Sequence, residues 1–60
     1  MEKKKEFNVL VAEDEMFQRL ALMDYLDLCD YDTIGVENGQ LALEELRKPE
    51  NDFDLVLLDL

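Results

Sequence analysis

Two unbroken apolar runs, Val9-Leu10-Val11-Ala12 and Leu55-Val56-Leu57-Leu58, constrain this chain more than any other feature. Neither alternates with polar residues, so a strand built from either must bury both of its faces. That is the pattern of a parallel sheet covered on two sides. Each run ends on acid. Glu13-Asp14-Glu15 follows the first, and Asp59 follows the second. A weaker run, Thr33-Ile34-Gly35-Val36, contains a glycine and reads as an edge strand.

Between the runs lie two helical stretches. Met16 to Cys29 carries Met16, Leu20, Leu22, Met23 and Leu26 on one broad arc, interrupted by Arg19 and Asp27. Phe17, Ala21, Tyr25 and Leu28 add apolar character elsewhere, so the amphipathic pattern is not clean. Gln40 to Lys48 carries Ala42, Leu43 and Leu46. Asn38 is its expected N-cap, and Pro49 follows its end. The order strand, helix, strand, helix, strand implies βαβ crossovers and a parallel sheet. Residues 1–7 read as a leader or linker remnant. The chain ends at Leu60, just beyond an apolar run that looks like a central strand, and on that ground a fragment, natural or engineered, is expected.

Sixty residues make at most one small domain, and one this short buries only about 60% of the surface its unfolded chain exposes. The lone cysteine, Cys29, cannot form an intrachain disulfide, and it is expected to be a small apolar residue near a helix end. Sixteen Asp plus Glu against six Lys plus Arg give a net charge of −10. Three of the bases, Lys3, Lys4 and Lys5, sit in the leader. From Glu13 onward the bases are Arg19, Arg47 and Lys48 alone. Direct nucleic-acid binding is excluded on this distribution, because phosphate backbones need clustered cations. The acidity favours cations or a basic partner, although most of these charges serve simply as solvated surface. No apolar run approaches the ~18 residues that span a bilayer, and Met1 to Phe7 lacks the apolar core of a signal peptide. The expected location is the cytoplasm, away from membrane.

In open parallel sheets, ligands bind beyond the carboxyl ends of the strands. If the first and third strands are neighbours, Glu13, Asp14 and Asp59 converge there. Two carboxylates ~4 Å apart repel by about 4 kcal/mol at an effective dielectric near 20. Either one takes a proton or a divalent cation neutralises them. Mg²⁺, a hard cation, favours carboxylate and water oxygens. Bound beside phosphate oxygens it suits phosphoryl transfer, with an aspartate as the nucleophile. On chemistry alone that nucleophile is either Asp14 or Asp59. Asp14 or Glu15 could instead cap the following helix, and Glu15 is expected to act as helix-start charge.

Three segments resemble the receiver domain of response regulators and hybrid histidine kinases: Val9-Leu10-Val11-Ala12-Glu13-Asp14-Glu15, Glu37-Asn38-Gly39-Gln40-Leu41-Ala42-Leu43, and Phe53-Asp54-Leu55-Val56-Leu57-Leu58-Asp59-Leu60. The resemblance covers residues 8–60. It implies a flavodoxin-like, doubly wound parallel sheet of strand order 2-1-3-4-5, here truncated to strand order 2-1-3. It also implies that Asp59 is the phosphoacceptor, that Asp14 binds Mg²⁺ directly, and that Glu13 acts on the metal through water. With Asp59 these make the expected metal set. Asn38-Gly39 matches a structural turn.

The resemblance further implies a two-component phosphorelay, in which a histidine kinase or a histidine phosphotransfer protein donates from a phosphohistidine. This chain contains no histidine of its own. The expected role is a signalling acceptor rather than an enzyme, with room for autophosphatase activity in the parent domain. Departures from the family pattern are large. The Ser or Thr and the Lys that close a whole receiver's fourth and fifth strands have no counterpart here, and neither does the backbone carbonyl two residues past the acceptor. The chain is therefore expected to be inactive alone. Two alternatives stand beside this. One is a Mg²⁺-dependent phosphatase, which usually needs an Asp-x-Asp at one strand end. The other is an engineered or structural half-domain that self-associates.

Overall fold

The computed structural model describes residues 7–59, so most of the leader and Leu60 lie outside the described residues. Five elements alternate: β1 (Asn8–Glu13), α1 (Met16–Leu28), β2 (Asp32–Val36), α2 (Gly39–Leu46) and β3 (Leu55–Asp59). The strands form one parallel sheet, as the apolar runs predict, and its order β2-β1-β3 is the truncated flavodoxin-like order that the resemblance implies. Pairing of β1 with β2 runs from Asn8↔Asp32 to Ala12↔Val36. Pairing of β1 with β3 runs from Val9↔Leu55 to Glu13↔Asp59.

The central position of β1 follows from its composition. Val9 and Val11 face one side, packing with Leu26, Leu22, Met23, Tyr31 and Leu57. Leu10 and Ala12 face the other, packing with Ala42, Val36, Phe53 and Val56. All four β1 residues are fully buried. Full burial of a Val or Leu side chain contributes about 1.5–3 kcal/mol, so β1 is the main apolar anchor of the fold.

Local chemistry sets the helix ends. Glu15 is the N-cap of α1, its carboxylate accepting from the amides of Phe17 and Gln18 at 3.3 and 3.1 Å. At the other end Asp30 adopts φ 73°. The Asp30 amide donates to the Asp27 carbonyl and the Tyr31 amide to the Leu26 carbonyl, both at 3.0 Å. This is a Schellman closure, with Asp in the left-handed position it tolerates better than most residues. Cys29 sits at the helix end as expected, but exposed. Asn38 caps α2 as expected, its side chain accepting from the Leu41 amide at 2.8 Å. The helix spans Gly39–Leu46 rather than 40–48, because the chain tightens there, the Lys48 amide donating to the Glu45 carbonyl three residues back.

Both buried helix faces are narrower than expected. On α1 the stripe facing the sheet is Arg19, Leu22, Met23 and Leu26, an i, i+3, i+4, i+7 set that includes one cation. Met16 and Leu20, placed on the arc from sequence, are exposed. On α2, Ala42 is buried and Leu41 half-buried, while Leu43 and Leu46 are exposed. A helix apolar on every side does not itself say which face packs, and the sheet decides.

Candidate functional site

The carboxyl ends of β1 and β3 meet because the two strands are hydrogen-bonded neighbours. The last pair in their register is Glu13 with Asp59. The sheet therefore sets the two acids side by side, as the paired strand ends predict. Asp14 follows Glu13 directly and is exposed, as is Asp59. Glu13 differs from both, being 2% exposed.

The Glu13 carboxylate is only half satisfied. Its Oε2 accepts from the Glu15 amide at 2.9 Å, while Oε1 is buried without a hydrogen-bond partner. The hydrogen bond from the Glu15 amide lowers the pKa of this carboxyl. Burial and the neighbouring Asp14 and Asp59 carboxyls push it the other way, and the net result lies above the usual value of 4.5. A buried carboxylate with an orphan oxygen beside further carboxyls is costly.

The turn from β1 into α1 is held from three directions. The Glu13 carboxylate takes the Glu15 amide, and the Glu15 carboxylate caps α1. The capping role that sequence left open among Asp14 and Glu15 thus falls to Glu15, which leaves the Asp14 carboxyl uncommitted to the helix start. The third tie is Arg19, whose Nη1 donates to the Glu13 carbonyl at 2.8 Å. In the sequence Arg19 is simply an interruption of the apolar arc. Its place in the spacing with Leu22, Met23 and Leu26 was the signal that its side chain faces the sheet.

The expected trio is thus gathered at one end of the sheet, with Glu13 between Asp14 and Asp59. It is not closed into a ligand cage: among the described residues no group of three or more His, Cys, Asp or Glu side chains stands ready to hold a metal ion. Two of the three acids are exposed, so their side chains have room to turn. The donors on offer are carboxylate oxygens, the kind hard divalent cations take, and Mg²⁺ usually keeps several waters and needs only one or two carboxylates. The orphan Glu13 Oε1 is an acceptor that a metal-bound water would satisfy.

Fold and site define a parallel α/β protein with a cluster of acids at the carboxyl edge of its sheet. One curated protein similar to it is the 3',5'-cyclic-nucleotide phosphodiesterase regA of Dictyostelium discoideum, 39% identical over 51 residues. That match covers 85% of this chain but 6% of the relative, so the chain corresponds to a small part of that protein's length. No protein-family model matches the chain, and no solved structure does.

Proposed function

We propose that this chain is part of a receiver domain, accepting a phosphoryl group on Asp59 with Mg²⁺ as cofactor. One observation carries the proposal: the Glu13↔Asp59 pairing sets a buried carboxylate with an orphan oxygen against an exposed aspartate at a strand's carboxyl end. A purely structural glutamate would be expected to have both oxygens satisfied. Asp14 and Asp59 are the direct ligands in this scheme, and Glu13 acts through a water. The bound ion would neutralise charge on the phosphoryl oxygens. An Asp59 carboxylate oxygen attacks phosphorus, the P–N bond to the donor histidine breaks, and its electron pair stays on the imidazole nitrogen. The product is an acyl phosphate on Asp59. These residues include no histidine, so the donor histidine lies outside them, on a histidine kinase or a histidine phosphotransfer protein. On this scheme the domain is an acceptor in signalling rather than a turnover enzyme.

The test is phosphoryl transfer to a protein carrying residues 8–60 within a complete domain, with site mapping by mass spectrometry. Label should depend on Mg²⁺ and disappear in Asp59→Asn. Undiminished labelling of that variant would overturn the assignment.

A second function has one specific observation behind it: Leu55 and Leu58 of β3 are 42% and 63% exposed on opposite faces of the sheet. That supports self-association of this chain as a half-domain through β3. The two proposals are compatible, since the acidic end and the bare strand are separate features.

A further inference from the structure

We infer that Arg19 is a positioning residue for the acidic end of the sheet, fixing the Glu13–Asp14 peptide so that Glu13 and Asp14 face a divalent cation together. This deepens the proposed site and rests on it for the identity of the cation.

Arg19 is the one basic side chain between Glu13 and Arg47. It occupies the first place of the α1 stripe that packs on the sheet, and it is half-buried. A long cation is an expensive choice for an apolar stripe unless its head finds a partner. The partner is a main-chain carbonyl, that of Glu13, rather than a carboxylate. The bond therefore restrains backbone and neutralises no charge. It grips the peptide that joins Glu13 to Asp14, while the Glu15 amide grips the Glu13 carboxylate from the other side. Between them the two bonds leave the turn little freedom and leave Glu13 Oε1 as the open acceptor.

An independent feature of β2 fits this role. Gly35 lies where the Arg19 stem crosses the strand, with Arg19 Cγ 3.3 Å from the position a Cβ would take there. The Met23 thioether lies closer still to that position and is its main neighbour. The glycine that weakens β2 as a strand makes room first for the Met23 thioether and then for the Arg19 stem, which passes it on the way to Glu13.

Charge and geometry predict opposite signs, which makes the inference testable. If Arg19 acted as a nearby positive charge, removing it would strengthen Mg²⁺ binding at an acidic site. If it positions the peptide, removing it weakens binding. The experiment compares the wild-type chain with Arg19→Met, which keeps an apolar stem, using Mg²⁺ titration and residue-resolved amide exchange without metal. Expected are faster exchange at the Asp14 and Glu15 amides, unchanged exchange in β1, and Mg²⁺ affinity lower by about tenfold, the usual loss when a ligand's supporting bond is removed. Arg19→Lys, which keeps a donor, should recover part of that loss. Gly35→Ala reaches the same tie from β2, displacing the Met23 thioether towards the Arg19 stem and pressing on that stem while retaining its charge, and should loosen the same two amides to a smaller degree. It also serves if Arg19→Met fails to fold. Unchanged exchange at Asp14 and Glu15, or Mg²⁺ affinity that rises in Arg19→Met, would overturn the inference. If wild type takes up no Mg²⁺ while Arg19→Met loosens those amides, the tie is upheld and the cation proposal fails.

Discussion

The two edge strands have the same number of partners and opposite surroundings. β2 and β3 each pair with β1 over five residues. Both helices pack against β2 as well as β1, so β2 is an edge under cover. Its residues suit that place: Asp32, Thr33 and Gly35 are poor apolar surface, and the sequence there is hardly strand-like. β3 is richer, with four apolar residues in a row, yet Leu58 is largely exposed on one face and Leu55 is 42% exposed on the other. The more hydrophobic strand is thus the less buried one. Burial here follows position relative to the helices rather than hydrophobicity, and the surplus on β3 is what an edge strand needs when another surface is to cover it.

The sharpest way to break this comparison is to crowd the covered edge. Gly35→Val should destabilise the fold by about 1–3 kcal/mol, because its methyls meet the Met23 thioether and the Arg19 stem under α1. Alanine should cost less, since the end of Met23 can swing aside. Chemical denaturation measures both, and a neutral Gly35→Val would mean that α1 does not press on β2 as described.

The converse change belongs on β3. Replacing Leu55 and Leu58 by serine should alter monomer stability modestly, by no more than ~0.5 kcal/mol at Leu58 and by about 1 kcal/mol at the more buried Leu55. It should also abolish concentration-dependent association, which light scattering follows in the parent chain. With −10 charges per copy opposing contact, that association should strengthen with salt or Mg²⁺. A wild-type chain that stays monomeric at every concentration and unfolds cooperatively would show that the bare strand needs no cover.

A smaller effect lies in pH. Glu13 holds its proton more tightly in the fold than the ordinary value of 4.5 allows. Between that value and the raised one, the folded state binds more protons than the unfolded state. The stability Glu13 contributes is therefore fully present below about 4.5 and declines as pH climbs through the raised value. Glu13→Gln should flatten that decline in a stability-against-pH series, and an unchanged slope would move its origin to other carboxyls.

Much of this was legible beforehand because it depends on local rules. Unbroken apolar runs mark strands buried on both faces, Asn38 marks a cap, and acids after two such runs mark one end of a sheet once the strands are neighbours. What stayed hidden depends on packing between elements. Met16, Phe17, Leu20, Leu43 and Leu46 look as apolar as Leu22 and Leu26, and only the sheet decides which of them it takes. Nor did the residue types say that Glu13 would be buried and Asp14 exposed. Glu13 is the last residue of β1 and Asp14 lies in the turn beyond it, and that difference buries one carboxyl while exposing the other. The tie from Arg19 to the Glu13 carbonyl likewise spans a strand end and a helix stripe, and neither announces the other.

The most direct measurement is a Mg²⁺ titration of the chain followed by NMR at Glu13, Asp14 and Asp59. Saturable shifts at both strand ends, with one common affinity, are expected if the two acidic ends form a single cation site. Asp14→Asn should weaken that affinity more than Glu13→Gln, because Asp14 is the proposed direct ligand. Shifts confined to one strand end, or no saturable response at either, would contradict a shared site.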